Sequence, residues 1–411
     1  MTMIDIIKNQ KAPRKLGLYI HIPFCRTKCL YCDFCSFVSR DSNEREEYVR
    51  ALLREIKSRG TKEYLVDTIY FGGGTPSLLN AEQIGRILAC VRENFVVCED
   101  VEVTLECNPM ISKRDVEDAV PYGDGLDSRD VGDADPYGDG DYFVELRKIG
   151  VNRLSIGIQS AIDSELKLIG RRHTFEDAKR TFSIARESGF DNISVDLMFG
   201  IPSQTGDSLE ISLRRIISLG AEHISIYSLQ LEEGTPIYRM RNRYSLADDD
   251  TLADMYEAVV SSMKRAGYSH YEISNFAKAG RESRHNSKYW RLDEYLGLGL
   301  AAHSDFGGKR IENTKDMGKY LLGECVENEL EISQGEREFE FLMLGLRTSR
   351  GISKSEFFAR FGIDFDEKYG EKVKICEKMG YFLQNDEFVA LNERGFEVSN
   401  SILAQILDFD Y

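Results

Sequence analysis

The sequence predicts an α/β protein in which a partial (β/α)6 TIM-like barrel precedes a small C-terminal winged-helix-like α+β domain. Two observations support this prediction. Short apolar segments with strand character alternate with amphipathic segments of helical period in the first half of the chain, as in parallel βα units. After Ile332 the alternation stops, and helical segments are followed by a short hairpin. At 411 residues the chain is long enough for one large domain and one small domain.

The elements of the barrel follow from this alternation. Strands are predicted at residues 18–22, 68–71, 102–106, 153–157, 192–198 and 223–229. Helices are predicted between them at residues 44–59, 81–94, 175–188 and 207–219. The expected organisation is a tail (1–15), the barrel (16–240), a flanking region (241–332) and the C-terminal domain (333–411). Because chemistry in barrels collects at the carboxyl ends of the strands, polar residues that follow the strands are the candidates for a site.

Residues 120–142 interrupt the alternation. Pro121-Tyr-Gly-Asp-Gly125 returns as Pro136-Tyr-Gly-Asp-Gly140. Repeated Asp and Gly are also found in calcium-binding repeats, but two imperfect copies are too few for such an array. This composition favours an acidic, flexible surface insertion.

The C-terminal domain is predicted to hold helices at residues 337–346, 354–361 and 367–379, then a hairpin at 381–391 around Asn385-Asp386, then a helix at 393–407. Helices followed by a β-wing give the winged-helix-like prediction. Because the segment is acidic, DNA reading is not expected, and we interpret it as a cover or a partner surface.

Composition restricts the partners and the compartment. The formal net charge of −16 argues against nucleic acid and anionic membrane, which require clustered Lys and Arg. The chain opens without the charged-then-apolar pattern of a signal peptide, and no apolar run approaches the roughly 18 residues of a membrane helix. With nine cysteines and four of them crowded into one short run, a reduced, cytoplasmic protein is expected.

Three cysteines follow the first strand with the spacing C-x3-C-x2-C: Cys25, Cys29 and Cys32. Three thiolates on one loop can hold a [4Fe–4S] cluster and leave one iron open to a small molecule. This spacing, followed by an acidic or aromatic residue, is typical of radical S-adenosylmethionine (SAM) enzymes, in which the open iron chelates SAM.

Two other interpretations of the same cysteines remain. The C-x2-C pairs would also suit a zinc knuckle or a thioredoxin-like redox pair, although the other cysteines offer zinc no second C-x2-C pair. Cys35 is either a fourth thiol near the cluster or a small residue packed beneath the loop.

Polar residues follow the later strands in series. The run Tyr70-Phe-Gly-Gly-Gly-Thr-Pro-Ser77 presents bare backbone, and further polar groups come from Glu106, Gln159, Arg171 and Asp196. Each alone is compatible with an ordinary cap or turn. A series of five that follows a cysteine loop favours one shared site.

From Leu16 to the C-terminus, the insertion apart, the chain resembles the family of oxygen-independent coproporphyrinogen III oxidase and its relative, the haem chaperone HemW. The resemblance implies that Cys25, Cys29 and Cys32 bind the cluster. It implies that the residues around SAM are Tyr19, Tyr31 (backbone, at the adenine), Gly73, Gly74 and Thr75 (at the methionyl group), and Glu106, Gln159, Arg171 and Asp196 (at the ribose and carboxylate).

Within this family the chain resembles the chaperone branch. His285-Asn-Ser-Lys-Tyr289-Trp290 matches the HNxxYW motif of that branch. The oxidase has a fourth cysteine two positions after the third, where this chain has Phe34, and the long N-terminal arm of the oxidase is missing. Both departures argue against oxidase activity.

The HNxxYW motif predicts haem contacts. His285 would ligate haem iron, Tyr289 one turn away would be a second ligand or a hydrogen-bond partner, and Trp290 would offer a flat apolar surface. On the alternative interpretation, Trp290 anchors the junction between the barrel and the C-terminal domain, and His285 hydrogen-bonds a loop.

The expected function is therefore a cytoplasmic haem chaperone with a [4Fe–4S] cluster, SAM and haem. Its partners would be haem and apo-haemoproteins of the respiratory type, with membrane contact only through those recipients. The alternative is a radical SAM coproporphyrinogen III oxidase that performs oxidative decarboxylation. A redox or zinc-binding regulator is a third hypothesis.

Overall fold

The computed structural model describes residues 14–39, 41–110 and 141–407. By its internal contacts the chain divides into two compact units. The first comprises Met1–Asp196, Gln230–Arg243 and Glu294–Leu330, and the second comprises Leu197–Leu229, Tyr244–Asp293 and Glu331–Tyr411.

The strands and helices of the described residues alternate through the first half of the chain. The strands are β1 (Arg14–Ile22), β2 (Phe24–Cys25), β3 (Phe37–Val38), β4 (Tyr64–Gly73), β5 (Val96–Cys107), β6 (Arg153–Gln159), β7 (Ile193–Phe199), β8 (His223–Ser228), β9 (Ser269–Glu272), β10 (Asn275–Ala277), β11 (Tyr295–Leu298), β12 (His303–Phe306), β13 (Lys309–Asn313), β14 (Val326–Glu331), β15 (Ile352–Ser353), β16 (Phe382–Gln384) and β17 (Phe388–Leu391). The helices are α1 (Ser42–Arg59), α2 (Ala81–Asn94), α3 (Asp141–Ile149), α4 (Asp163–Leu168), α5 (Phe175–Glu187), α6 (Gly206–Ser218), α7 (Pro236–Arg239), α8 (Asp249–Arg265), α9 (Arg284–Trp290), α10 (Met317–Leu322), α11 (Gln334–Gly345), α12 (Lys354–Phe361), α13 (Phe365–Lys378), α14 (Glu393–Glu397) and α15 (Ser399–Leu407).

The first unit is built on a large sheet whose strands follow the order β14-β13-β12-β11-β1-β4-β5-β6, with β7 next to β6. β1 pairs in parallel with β4 and β11, β4 with β5, and β5 with β6. Leu16, Leu18, Ile20 and Ile22 of β1 are fully buried, as expected for a central strand covered on both faces. The carboxyl ends of β1, β4, β5 and β6 therefore lie along one edge of the sheet.

The helices of this unit begin where capping residues stand. Asn80 and Gln83 cap the start of α2 reciprocally, and Thr174 and Asp177 do the same for α5. The apolar positions Ile84, Ile87, Leu88 and Val91 bury one face of α2. The sequence predicted both helices to within a residue.

The second unit holds the antiparallel order β8-β10-β9 and a separate three-stranded sheet, β15-β17-β16. The latter packs with α11 to α15 around an apolar core that includes Phe341, Phe357 and Phe365. The predicted hairpin is present, because the Asn385 side chain accepts hydrogen bonds from the amides of Glu387 and Phe388 at 2.8 and 2.7 Å.

Several predicted boundaries were wrong; for example, β5 begins at Val96, six residues before the predicted strand at 102–106. β1 begins at Arg14, inside the predicted tail, and the predicted helix at 393–407 is two helices that meet at Val398. Most of the predicted insertion lies outside the described residues, but its last two residues, Asp141 and Tyr142, begin α3. Tyr142 is buried and its hydroxyl donates to the Leu79 carbonyl at 2.9 Å, so this aromatic residue belongs to the core.

In the part of the chain that the structure describes, no helix has both the length and the apolar character needed to span a membrane.

Candidate cofactor site

The cysteine loop leaves the end of β1 and is held at several backbone positions. β2 pairs with β3 in parallel, and the Ser39 amide donates to the Cys25 carbonyl at 3.1 Å. In the middle of the loop the Leu30 amide donates to the Ile169 carbonyl at 3.1 Å, and the Leu30 carbonyl accepts from the Ile237 amide at 3.0 Å. The loop is thus anchored to segments that are distant in sequence.

The thiols of Cys25, Cys29 and Cys32 are free, half-buried and close enough to influence one another. Burial raises the pKa of the Cys25 thiol and of the Cys32 thiol, and the charge of Cys29 raises both further. Two donors face this group, since Thr75 Oγ1 donates to Cys25 Sγ at 3.7 Å and Arg171 Nη1 to Cys29 Sγ at 3.5 Å. Such donors stabilise the thiolate form, which is the form that binds metal.

Three thiols on one loop are a donor set that suits a [4Fe–4S] cluster with one open iron. Among residues 14–39, 41–110 and 141–407, no three His, Cys, Asp or Glu side chains converge on a point where one metal ion would bind. In a [4Fe–4S] cube each thiolate binds a different iron, so the ligands surround the cube and need not meet at one point. Burial raises the pKa of the Cys35 thiol, and the charges that lower it are those of Lys28 and Lys315.

The glycine run after β4 packs directly against the cysteine loop. The Gly74 amide donates to the Ile22 carbonyl at 2.8 Å and the Thr75 amide to the Phe24 carbonyl at 2.7 Å. Gly73 has a φ of 110°, and a Cβ there would lie 2.5 Å from Cε1 of His21. A Cβ at Gly74 would lie 2.6 Å from the Phe24 carbonyl oxygen, so glycine at both positions allows the close approach of β4 to β1 and to the start of the cysteine loop.

Glu106 ends β5 beside this glycine run. Its Oε1 accepts from the Tyr70 hydroxyl at 2.7 Å and its Oε2 from the Gly73 amide at 3.3 Å. Burial raises the pKa of Glu106 to about 7, outweighing the hydrogen bond from Tyr70, and the nearby charge of Asp196 adds to the rise. Asp196, on β7, accepts from Ser155 Oγ at 3.2 Å.

The Arg171 guanidinium hydrogen-bonds residues near the ends of β5 and β6 and also the Cys29 sulfur. Its Nη2 donates to Asn108 Oδ1 at 2.7 Å and to the Gly157 carbonyl, while Asn108 Nδ2 donates to Thr75 Oγ1 at 3.0 Å. Together with the contacts of Thr75 and Arg171 to cysteine sulfurs, these bonds form one continuous polar network. A Cβ at Gly157 would lie 3.0 Å from Gln159 Nε2 and 3.2 Å from Arg171 Nη2, so Gln159 reaches the same place.

Two tyrosines and a strained glutamine complete the group. Tyr19 stacks on Tyr70 with ring centroids 6.2 Å apart, and its hydroxyl shares a 3.1 Å hydrogen bond with His21 Nδ1. Burial raises the pKa of Tyr31, and the charges of Arg171 and Cys29 act on the same hydroxyl. Gln159 is buried with a φ of 71°, a left-handed conformation that non-glycine residues adopt at a cost and often at functional sites.

The first unit thus brings together one set of residues that the sequence predicted: Tyr19, Cys25, Cys29, Tyr31, Cys32, Gly73, Gly74, Thr75, Glu106, Gln159, Arg171 and Asp196. Sequence reasoning did not single out His21, whose Nε2 shares a 2.9 Å hydrogen bond with the Cys35 carbonyl. The available signal was its position two residues after Tyr19, on the same face of β1.

The HNxxYW motif lies in the second unit, on helix α9. His285 is only 1% exposed, and its Nε2 shares a 2.9 Å hydrogen bond with the Tyr289 hydroxyl. The two rings meet edge to face, with centroids 5.2 Å apart. Tyr289 is therefore a hydrogen-bond partner of His285. Trp290 is half-buried.

Family comparisons agree with this geometry. The model of the radical SAM superfamily matches residues 19–131 and 134–216, and that of the HemN C-terminal domain matches residues 332–398. The solved coproporphyrinogen III oxidase HemN from Escherichia coli has the same fold, with a TM-score of 0.77 at 22% identity over 96% of this chain and 90% of that one. The chain is thus a radical SAM protein with a HemN C-terminal domain, and the predicted fold class is confirmed.

The relatives define the branch. The haem chaperone HemW of Bacillus subtilis is 36% identical over 95% of this chain and 98% of its own length. HemW of Escherichia coli K12 is 32% identical over 95% and 98%. The chain belongs to the HemW family.

Proposed function

We propose that this chain is a haem chaperone that carries a SAM-coordinating [4Fe–4S] cluster and delivers haem to apo-haemoproteins. The observation that carries the proposal is the near full-length similarity to proteins named haem chaperone HemW, at up to 36% identity. The HNxxYW helix, with a buried histidine bonded to its tyrosine, supports a haem role for the second unit.

Cys25, Cys29 and Cys32 would hold the cluster, and such a cluster supplies an electron to SAM when both are bound. Around it the chain's own residues bind and orient. Arg171, fixed by Asn108 and Gly157, presents a positive charge for the SAM carboxylate. Glu106 and Asp196 present carboxylates for the ribose and for the positive charge of the ligand.

If haem binds at α9, the His285 imidazole must exchange its hydrogen bond with Tyr289 for a bond to iron. An imidazole that binds iron through Nε2 cannot also bond the Tyr289 hydroxyl through Nε2, so haem must displace that hydroxyl. His285→Ala removes the ligand, whereas Tyr289→Phe removes only its competitor. We therefore expect His285→Ala to weaken haem binding and Tyr289→Phe to retain or strengthen it.

The test is an anaerobic haem titration of wild type and both variants, followed by absorption spectroscopy, with iron and sulfide content as the control for folding. Wild type should bind about one equivalent, and His285→Ala should shift the haem bands. Unchanged bands and affinity in His285→Ala would refute His285 as the ligand. Absence of haem binding by wild type would refute the chaperone proposal itself.

A second candidate is supported by the complete polar set around the cysteine loop. A radical SAM enzyme that decarboxylates coproporphyrinogen III would need the same residues. Incubation of the reconstituted protein with SAM, a reductant and coproporphyrinogen III under anaerobic conditions distinguishes the two, because only the enzyme releases carbon dioxide and a vinyl-bearing product.

A further inference from the structure

Asn108 directly follows β5 and hydrogen-bonds two residues that contact cysteine sulfurs. Its Oδ1 accepts from Arg171 Nη2 at 2.7 Å, and its Nδ2 donates to Thr75 Oγ1 at 3.0 Å. Arg171 Nη1 donates to Cys29 Sγ at 3.5 Å. Thr75 Oγ1 donates to Cys25 Sγ at 3.7 Å. One half-buried amide therefore connects the donors that reach two of the three proposed cluster ligands.

The chemistry of the Arg171 guanidinium determines which way this amide points. A guanidinium has only donors, so its partner at 2.7 Å must be the amide oxygen of Asn108. The amide nitrogen then faces Thr75 and donates to its hydroxyl oxygen. A hydroxyl group carries one hydrogen, and because Thr75 Oγ1 accepts from Asn108, this hydrogen is directed to the Cys25 sulfur. Every donor of the network thus points toward the cysteines.

Arg171 and Thr75 differ in how far they depend on Asn108. The guanidinium of Arg171 has a second anchor, because its Nη2 also donates to the Gly157 carbonyl. Thr75 is only 6% exposed, and in the described part of the chain its hydroxyl bonds only Asn108 and Cys25. The direction of the Thr75 hydroxyl hydrogen therefore depends on Asn108.

We propose that Asn108 is a positioning residue that raises the reduction potential of the cluster by directing the Thr75 hydroxyl at the Cys25 sulfur. The inference rests on the proposed cluster at Cys25, Cys29 and Cys32. Hydrogen bonds to the sulfurs help to set the reduction potential of iron–sulfur clusters. The reduced form carries one more negative charge, so a hydroxyl that donates to a ligand sulfur stabilises it more than the oxidised form.

Two substitutions separate the direction of the hydroxyl from its presence. Thr75→Val removes the hydroxyl and keeps the hydrogen bond from the backbone amide of this residue to the Phe24 carbonyl at 2.7 Å. Asn108→Asp keeps the shape of the side chain and its acceptor for Arg171, beside which the new carboxyl group stays ionised. A carboxylate can only accept, so the Thr75 hydroxyl turns its hydrogen away from Cys25 and toward this carboxylate.

The test is an anaerobic redox titration of the reconstituted full chain without SAM. Electron paramagnetic resonance of the reduced cluster gives the ratio of reduced to oxidised cluster at each ambient potential. The proteins are wild type, Thr75→Val, Asn108→Asp and the double variant. Thr181→Val, at a buried threonine whose hydroxyl donates to the Asp177 carbonyl at 2.9 Å, is the matched control. Iron and sulfide content reports the cluster loading of each protein.

We expect Thr75→Val to lower the ratio of reduced to oxidised cluster about tenfold at a fixed ambient potential, a fall of about 59 mV for a one-electron couple. Asn108→Asp should lower the ratio further, because it turns the hydroxyl away and adds a negative charge. In the Asn108→Asp background, Thr75→Val should change the ratio about twofold at most, because the hydroxyl no longer donates to Cys25 there. Thr181→Val should match wild type.

Equal effects of Thr75→Val in the two backgrounds would overturn the inference, because Asn108 would then not direct the hydroxyl. A wild-type potential in Thr75→Val would also overturn it, since the hydroxyl would not act on the sulfur. Loss of iron and sulfide in either variant would show that the residue holds the cluster in place and does not set its potential. A wild-type protein that takes up no iron and sulfide would refute the proposed cluster itself.

Discussion

The pKa of Glu106 gives the sharpest prediction for the SAM site. Burial raises this pKa to about 7, so the carboxyl group changes from mostly neutral at pH 6 to mostly ionised at pH 8. SAM carries a fixed sulfonium charge and a net positive charge near neutral pH. Its binding beside Glu106 and Asp196 should therefore favour the ionised carboxylate.

The size of the effect follows from the titration. If SAM binds only the ionised form, the apparent Kd scales with the inverse of the ionised fraction, which falls from about 0.9 at pH 8 to about 0.1 at pH 6. Affinity should therefore weaken about tenfold between these pH values. Glu106→Gln keeps an acceptor for the Tyr70 hydroxyl but cannot titrate, so its affinity should lose most of this pH dependence.

The assay is equilibrium binding of SAM to the anaerobically reconstituted protein at half-unit steps from pH 6 to 8, with cluster absorbance checked at each step. An affinity of wild type that does not change with pH, or that weakens as pH rises, would show that ionised Glu106 does not favour SAM binding. An equally steep profile in Glu106→Gln would assign the titration to another group.

The cluster, the insertion and the stability of the fold can each be tested by substitution. Cys29→Ala should abolish the [4Fe–4S] absorbance and Cys35→Ala should leave it largely intact, and equal loss in both would refute the three-thiolate assignment. Replacing residues 120–139 with a short Gly/Ser linker, which spares Tyr142 in α3, should leave cluster content nearly unchanged because loop length affects stability only logarithmically; an insoluble product would show that the segment is structural. Burial raises the pKa of Glu272 from 4.5 to about 7. The ionised carboxylate therefore lowers the free energy of unfolding by about 3 kcal/mol. This loss is absent below pH 4.5, grows as pH rises, and is complete above pH 7. Glu272→Gln should therefore gain thermal stability relative to wild type between pH 5 and 8 in calorimetry, and a constant difference would contradict this.

The sequence predicted the elements that have strong periodicity. The buried alternation of β1 and the capped, amphipathic α2 need little tertiary information, and both were predicted. β9 and β14 were missed because Ser-His-Tyr-Glu has no aliphatic residue and Val-Glu-Asn-Glu-Leu-Glu has only two apolar residues among six. β14 lies at an edge of the sheet and all of its residues are exposed, so burial leaves no pattern in its sequence.

The residues of the site could be predicted from the sequence, but the contacts between them could not. Strand-end positions identified Glu106 and Gln159, because parallel strands place their carboxyl ends on one edge. The prediction that Arg171 and Asp196 also follow strands was wrong, because Arg171 follows the helix α4 and Asp196 lies within β7. The Arg171 contact to Cys29 joins residues 142 positions apart, and no local pattern specifies such a pair. The burial of His285 against Tyr289 likewise depends on the packing around α9, which the motif alone does not reveal.

If the chain delivers haem, the haem-loaded protein must pass its haem to a recipient. The haem-loaded protein is mixed with an apo-haemoprotein of the respiratory type, and the rise of the recipient's absorption bands is compared with the rise produced by an equal concentration of free haem. We expect transfer from the loaded wild type, and reduced loading and transfer with His285→Ala. Haem that stays on the chain while free haem reconstitutes the same recipient would contradict it.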